Sequence, residues 1–157
     1  MPAVVVDIYS AAVAGGPMER LTQAVLEADR GLVGDRYYFG AGTFSEKLKD
    51  KPDSQVTLIE SEEVARFTSA AALAIGAGEL RRNIVTRGLR LNDLVGKRFR
   101  VGGAVLEGIR LCEPCAYLAK RVAPQVLPAL VHRAGLRAQI ILGAVVRPGD
   151  PIELSGP

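Results

Sequence analysis

Short apolar runs constrain the fold of this chain more than any other feature of its sequence. Most of them are rich in Val, Ile and Leu and are bounded by Gly, Pro or Asp. Such runs are typical of β-strands, because β-branched side chains pack well on a pleated surface and turn residues end each run. The predicted strands are Ala3–Tyr9, Thr22–Ala28, Gln55–Ile59, Asn83–Thr86, Arg98–Val101, Ala104–Ile109, Leu136–Leu142 and Asp150–Leu154.

The segment FRVGGAVLEG is the clearest local signal of how strands pair. Two apolar runs flank Gly102-Gly103, a dipeptide that supplies the positive φ of a tight primed turn. A second turn signal, Pro148-Gly149, precedes the last predicted strand. Because strands are many and helices few, the sequence predicts a mainly β domain, a β-barrel with a few short α-helices packed outside it.

Helices are expected in two regions. The stretch Glu60–Ile75 is alanine-rich and amphipathic, begins with acidic residues and ends at the following glycine. The second region follows Cys112, and because Pro124 and Pro128 interrupt it, two short helices are expected there. The segment Phe39–Ser54 is long, polar and without periodicity, and loops of this length in compact domains are often binding or lid segments.

Length and composition limit the possible classes of protein. The 157 residues fit one domain, and 48% hydrophobic with 24% charged residues is a globular balance. The net charge of +3 suits an anionic ligand such as a phosphate ester, but it does not by itself indicate nucleic acid. No apolar run reaches the ~18 residues of a membrane helix, and the N-terminus has no basic leader. We therefore expect a cytoplasmic protein that binds neither nucleic acid nor a membrane.

The only two cysteines, Cys112 and Cys115, lie three residues apart in RLCEPCAYLAK. Pro114 suits the first position of a helix, which predicts Cys115 in the first helical turn, where free backbone N–H groups favour a thiolate. Zinc needs about four ligands, and beyond the two thiols the chain offers one histidine, His132. No βαβ pattern of a thioredoxin-type pair surrounds the motif. One working thiol and two small buried side chains both remain open.

Three further segments, GLVGDRYYFG, GELRRNIVTRG and HRAGLRAQIILG, concentrate charged side chains next to glycines or directly before a strand. Guanidinium groups bind phosphate in bidentate fashion, and an adjacent Asn can fix its orientation. Taken alone, each segment is equally well explained as an ordinary turn with solvated charges. The side chains concerned are Asp35, Arg36, Arg81, Arg82, Asn83, Arg133 and Arg137.

In this order, the segments resemble the MOSC domain, a family named after the C-terminal domain of molybdenum-cofactor sulfurase. The resemblance lies in GLVGDRYY, QVTLIE, RRNIVTRGLRLNDLVGKRFRVGGAVLEG, LCEPCAYL and HRAGLRAQIILGAVVRPGDPIEL, which span essentially the whole chain. It implies a single stand-alone MOSC domain over residues 1–157, a β-barrel of the pyruvate-kinase type, and a role in binding or sulfurating the molybdenum cofactor (molybdopterin), a pterin dithiolene with one phosphate.

The resemblance also implies roles for individual residues. The later cysteine of LCEPC, Cys115, is implied as the catalytic thiol and as the ligand of molybdenum. The R-x-N match and the arginine within it are implied to face the pterin phosphate, and the G-D-R match is implied to take part in binding. The implied cofactor-binding residues are Arg81, Arg82, Asn83, Asp35 and Arg36.

Two activities follow from the resemblance, sulfur transfer to the cofactor or molybdenum-dependent reduction of N-hydroxylated compounds, each through Cys115. The first implies a cysteine desulfurase with pyridoxal phosphate as partner. The second implies an electron-transfer partner, because the chain carries no flavin, haem or iron–sulfur signature. Two alternatives stay open. One is a non-catalytic module that binds RNA or an acidic protein, and the other is a thiol redox sensor that uses Cys112 and Cys115 as a switching pair.

Overall fold

The structure, a computed structural model, describes residues 2–47 and 51–154. Within these residues the chain forms eleven strands and three α-helices. The strands are β1 (Ala3–Ser10), β2 (Glu19–Leu21), β3 (Ala24–Glu27), β4 (Gly31–Leu32), β5 (Val56–Glu60), β6 (Ile84–Arg87), β7 (Arg98–Val101), β8 (Ala104–Leu111), β9 (Leu136–Leu142), β10 (Ala144–Val146) and β11 (Pro151–Leu154). The α-helices are α1 (Ser61–Ala71), α2 (Ala116–Arg121) and α3 (Val126–Ala129), and short 3-10 helices cover Pro52–Ser54, Ala77–Leu80 and Leu91–Leu94.

Seven strands close into a barrel in the order β1, β11, β7, β8, β9, β5, β6, because β1 pairs with both β11 and β6. Strands β5 and β6 are parallel, and the other pairs around the barrel are antiparallel. Strand β2 pairs antiparallel with the C-terminal end of β1, and β10, β3 and β4 form a separate small sheet. The predicted mainly β barrel with short helices outside it is confirmed.

Two apolar layers hold this arrangement together, one inside the barrel and one outside it. Alternate residues of a strand point to opposite faces, so Leu58 of β5 joins the inner core while Ile59 joins the outer one. The outer layer includes Phe67 of α1 and Leu118 of α2, which cover β5 and β6. Full burial of a side chain such as Phe67 contributes about 2 kcal/mol to stability.

Several predicted boundaries hold and others move. The bounds of β7 and β9 match the prediction, and the FRVGGAVLEG hairpin forms, with Gly102 alone of its two glycines at positive φ (58°). Helix α1 ends at Ala71, four residues before the predicted end. Ala72 takes the left-handed conformation (φ 53°), and the N–H groups of residues 72 and 73 bond back to Ser69 and Thr68.

Short elements escaped the sequence pattern altogether. Strands β2, β4 and β10 are only two or three residues long, so they leave too little alternation to recognise. The two short helices predicted after Cys112 are confirmed as α2 and α3. Pro128 lies within the first turn of α3, where its missing N–H is not needed. No helix in the described part of the chain is long and apolar enough to cross a membrane.

Candidate functional site

A narrow cleft lies on the outer face of the barrel over β9, β5 and the start of β6; its interior holds only about 50 Å³, and the space including its open mouth is about 560 Å³. Its floor is a row of three side chains: Arg137 on β9, Thr57 on β5 and Asn83, which directly precedes β6. Thr57 is paired with Arg137, and the backbone N–H of Asn83 donates to the carbonyl of Thr57 (3.2 Å). Because Leu58 and Leu136 on the same strands point into the barrel core, the floor residues point outward.

The segment that follows β8 forms one wall of the cleft and carries both cysteines. Cys112 is 2% exposed, Cys115 is half-buried, and both thiols are free. Helix α2 begins at Ala116, and Cys115 is its N-cap in an extended conformation (φ −132°, ψ 167°). The prediction that Pro114 opens the helix with Cys115 in the first turn is therefore wrong. Upstream of the helix, the backbone N–H of Cys112 donates to the carbonyl of Gly135 (2.8 Å) and anchors the segment to the residue that precedes β9.

Arg82 braces this cysteine segment. Its Nε donates to the carbonyl of Ala134 (2.9 Å), its Nη1 to that of Leu80 (3.2 Å), and its Nη2 to those of Cys112 (3.1 Å) and Glu113 (3.4 Å). A guanidinium has five N–H donors, so main-chain carbonyls take most of them. Arg82 lines the cleft, as the sequence suggested, but its hydrogen bonds serve the backbone. Its contact with a cofactor stays a prediction.

Asn83 connects three strands in the same way. Its Oδ1 accepts hydrogen bonds from the backbone N–H (3.1 Å) and the hydroxyl (3.2 Å) of Thr57 on β5, and its Nδ2 donates to the carbonyl of Tyr9 on β1 (3.1 Å). A buried amide with these partners fixes the register of β1, β5 and β6 at the cleft. Its proposed contact with a phosphate also stays a prediction.

Arg36 forms another part of the cleft wall, and Asp35 lies behind it. The buried carboxylate of Asp35 accepts from the backbone N–H groups of Ala11 and Tyr37 (both 3.1 Å) and from Nη1 of Arg36 (3.0 Å). Asp35 does not line the cleft, so it positions Arg36, which does. The guanidinium carbon of Arg36 lies 4.9 Å from the centre of the Tyr37 ring, and its Nε is buried without a hydrogen-bond partner in the described residues.

Arg81 is the most unusual charged residue of the site. It takes the left-handed conformation (φ 63°), its Nη1 donates to the carbonyl of Gly16 (2.7 Å), and its Nη2 is buried without a partner in residues 2–47 and 51–154. Burial lowers the pKa of Arg81, and the charges of Arg36 and Arg121 lower it further. None of the described residues that line the cleft is a carboxylate. The cleft therefore holds uncompensated positive charge beside a thiol.

His132 lies outside this cleft. It is exposed, its Nδ1 is 2.6 Å from Oε2 of Glu113, and its backbone N–H donates to Oε1 of the same carboxylate (2.7 Å). Over the described ranges, no three His, Cys, Asp or Glu side chains are grouped closely enough to hold a metal ion. The polar lining of the cleft thus consists of arginines, thiols, hydroxyls and one amide.

A comparison with protein families identifies the architecture. The model of the MOSC domain matches residues 23–153, which is most of the chain. The chain belongs to the MOSC family. The resemblance predicted from the sequence motifs is thereby confirmed. No curated protein matches this MOSC protein.

Solved structures share the fold of this MOSC protein. The YuaD protein from Bacillus subtilis is similar with a TM-score of 0.82 and 18% sequence identity, over 98% of this chain and 95% of that chain. YiiM from Geobacillus stearothermophilus is similar with a TM-score of 0.76 and 16% identity, over 99% of this chain and 76% of that chain. YiiM from Escherichia coli is similar with a TM-score of 0.69 and 20% identity, over 100% of this chain and 71% of that chain. At these identities the similarity establishes the fold alone.

A short strap, residues 42–45, completes the cleft of this MOSC protein. The backbone N–H of Phe44 donates to the hydroxyl of Tyr37 (3.3 Å), and the Phe44 ring meets that of Tyr117 on α2 edge-on, with centroids 6.4 Å apart. A Cβ at Gly42 would lie 2.5 Å from the Tyr37 ring, so the close approach requires glycine. Phe44 and Ser54, both from the predicted binding loop, line the cleft. Residues 48–50 of that loop lie outside the described residues.

Every charged residue of the lining, Arg137 among them, was named from the sequence, but Arg137 was assigned no contact in the site. The alternation in LRAQIIL places Arg137 on the outward face of β9, and that signal was visible. Its position opposite Thr57 depends on the pairing of β9 with β5, which lies far away in the sequence. The remaining lining residues that the sequence did not single out are Tyr37, Thr43, Phe44, Ser54, Thr57, Tyr117 and Leu118.

Proposed function

We propose that this MOSC protein binds the molybdenum cofactor in the cleft, with Cys115 as the protein's ligand to molybdenum and Arg81 and Arg36 at the cofactor phosphate. The observation that carries the proposal is the buried Nη2 of Arg81, which has no partner among the described residues and lies in the same cleft as the Cys115 thiol. A buried guanidinium without a counter-ion is unfavourable, and a phosphate ester would compensate it through charge-assisted hydrogen bonds.

The donor set of the cleft fits this cofactor. A soft thiolate suits molybdenum, and the dithiolene of the cofactor would add sulfur ligands of its own. When bound, the cofactor would supply a metal that cycles between oxidation states. The chain would hold and shield it: Arg82 fixes the backbone before Cys115, and Phe44 and Tyr117 exclude water with their rings.

The same thiol supports two activities that need different partners. Reduction of an N-hydroxylated compound converts N–OH to N–H and releases water, so an electron-transfer partner must supply an electron pair and a proton source must supply protons. In sulfur transfer, the Cys115 thiolate attacks the outer sulfur of a desulfurase persulfide. The S–S bond of that persulfide breaks, the desulfurase leaves as a thiolate, and Cys115 gains the sulfur. The desulfurase would be the pyridoxal-phosphate enzyme implied by the family.

Cofactor content tests the proposal. The full chain, produced in a host that makes the cofactor and is supplied with molybdate, is expected to carry near-stoichiometric molybdenum and pterin. Cys115→Ser should lower the molybdenum content by at least about tenfold, because even changes behind a metal ligand reduce affinity by 10–100-fold. Cys112→Ser should keep it, since the Cys112 side chain is almost fully buried in the cleft wall.

Thermal unfolding of the two serine variants provides the control for folding. The proposal is contradicted if the wild-type protein carries neither metal nor pterin under conditions that load another MOSC protein. It is equally contradicted if Cys115→Ser and wild type carry the same amount of molybdenum.

A further inference from the structure

Arg137 is a second guanidinium that the protein leaves largely unused. Its Nε is buried without a hydrogen-bond partner, and its one hydrogen bond within the described residues is a long contact from Nη1 to the carbonyl of Asp53 (3.4 Å). The described side chains give it no ion pair, yet it lines the cleft. A guanidinium has five donors, so most of its hydrogen-bonding capacity is available to a ligand.

The two charged neighbours of Arg137, Arg110 and Asp53, pair with each other, so they leave the charge of Arg137 in place. Arg110 on β8 is paired directly with Arg137 on β9, and like charges in that position are unfavourable. The carboxylate of Asp53 forms its ion pair with Arg110, not with Arg137. Ser54, which precedes β5, also lines the cleft and offers a hydroxyl group to a ligand. An anion in contact with Arg137 and Ser54 would relieve this arrangement.

The positive charge of Arg137 enters the cleft from a different part of the chain than the charges of Arg36 and Arg81 do. Arg137 is on β9, Thr57 is on β5 and Asn83 directly precedes β6. Neighbouring strands are about 4.8 Å apart, so the backbones of Arg137 and Asn83 are roughly 10 Å apart. Arg81 precedes Asn83 by two residues. Between the two ends of the floor, the hydroxyl of Thr57 is bonded to Oδ1 of Asn83 (3.2 Å).

We propose that Arg137 and Ser54 form a second anion subsite, which holds a carboxylate or phosphate group of the substrate that is brought to Cys115. The inference rests on the proposed function, because it assigns the Arg36–Arg81 end to the cofactor. The subsite would select a class of substrate: compounds with a negatively charged group are preferred over neutral compounds with the same reacting atoms.

Two alkylating reagents of similar size test the subsite without the cofactor. Iodoacetate is an anion and iodoacetamide is neutral, and both react with the Cys115 thiolate of the unloaded full chain. The measured quantity is the rate of Cys115 modification by iodoacetate divided by the rate with iodoacetamide, read by peptide mass spectrometry. In Arg137→Gln this ratio is expected to fall about fivefold, as for loss of one favourable ion pair. Arg147→Gln removes the same charge from an exposed residue outside the cleft and should leave the ratio unchanged.

One further variant and one further measurement separate loss of charge at Arg137 from misfolding and from loss of cofactor. Arg137→Lys retains the charge and should retain most of the ratio, which separates loss of charge from a change in folding. Arg137→Gln should also keep the molybdenum and pterin content of the wild type after production in the loading host.

The possible failures are distinguishable. An unchanged rate ratio in Arg137→Gln overturns the subsite. Loss of cofactor in that variant assigns Arg137 to the cofactor and also overturns the subsite, while the proposed function stands. If the wild type never takes up cofactor but the ratio still falls, the anion subsite stands and the proposed function does not.

Discussion

Arg82→Gln is expected to lower the free energy of unfolding by about 3 kcal/mol or more, whereas Arg81→Gln should change it by about 1 kcal/mol at most. The two arginines are adjacent in sequence but have different roles in the structure. Arg82 donates to four main-chain carbonyls, and glutamine cannot replace these bonds, so buried carbonyls lose their partners. Within residues 2–47 and 51–154, Arg81 donates one hydrogen bond and its buried Nη2 has no partner, so its loss also removes an unfavourable group.

Denaturant unfolding followed by circular dichroism measures both changes. Arg82→Lys is the matched control: it keeps the charge, but an ammonium group on a flexible stem cannot reach carbonyls in four directions, so most of the stability loss should remain. Both glutamine variants should carry less cofactor, Arg82→Gln because the cysteine segment moves and Arg81→Gln because the phosphate loses its partner. Equal stability losses in the two variants would contradict these roles.

Gly135→Ala is expected to be the most damaging single-methyl change at the cleft, with a loss of about 4 kcal/mol or more in the free energy of unfolding. Gly135 has φ 113°, and a Cβ there would lie 1.9 Å from the carbonyl oxygen of Leu58 on β5. Backbone cannot yield as a side chain does, so β9 would have to separate from β5. The carbonyl of Gly135 also accepts the N–H of Cys112, so the damage should reach the cysteine segment.

Gly149→Ala separates the two causes of this loss. Gly149 also has a positive φ (95°), but no atom lies within 4 Å of the position a Cβ would take. The free energy of unfolding of Gly149→Ala should therefore fall only by the cost of placing alanine in the left-handed conformation, about 1–2 kcal/mol. Chemical denaturation of both variants provides the measurement. Similar losses would show that the contact with Leu58 is unimportant.

The sequence was sufficient for the fold class because that inference depends on local patterns. Alternation and turn residues fall within single strands, so the bounds of β7 and β9 could be predicted to the residue. The end of α1 could not, because alanine has no intrinsic preference for the left-handed conformation that Ala72 adopts. The start of α2 was misplaced because the segment before it is anchored by a hydrogen bond from the Cys112 N–H to the carbonyl of Gly135, which is distant in sequence.

The candidate site was predictable as a set of side-chain types but not as a division of roles. A sequence shows that Arg82 can donate hydrogen bonds, but not that carbonyls near Cys112 and Ala134 accept them. Likewise, Asp35 and Arg36 are adjacent in sequence, and only the fold buries the first behind the second. Arg137 enters the site because β9 pairs with β5, a contact set by the topology of the whole barrel.

The barrel explains why these groups meet. Its outer face aligns Arg137, Thr57 and Asn83 across three strands, and the layer of helices over that face brings Cys115 to the same cleft. The strap at residues 42–45 joins the wall at Tyr37 to α2 through Phe44. A rigid sheet thus supplies the positive floor, while loops and a short helix supply the thiol and its cover.

The reactivity of one thiol tests the central claim most directly. Wild-type protein with and without cofactor is treated with iodoacetamide, and the modification of Cys115 and Cys112 is quantified by peptide mass spectrometry. Cys112, at 2% exposure, should stay unmodified in both samples and become reactive only after denaturation. Cys115 should react in the unloaded protein and be protected in proportion to the molybdenum content. Equal modification of Cys115 in loaded and unloaded protein would contradict its role as the ligand that holds the cofactor.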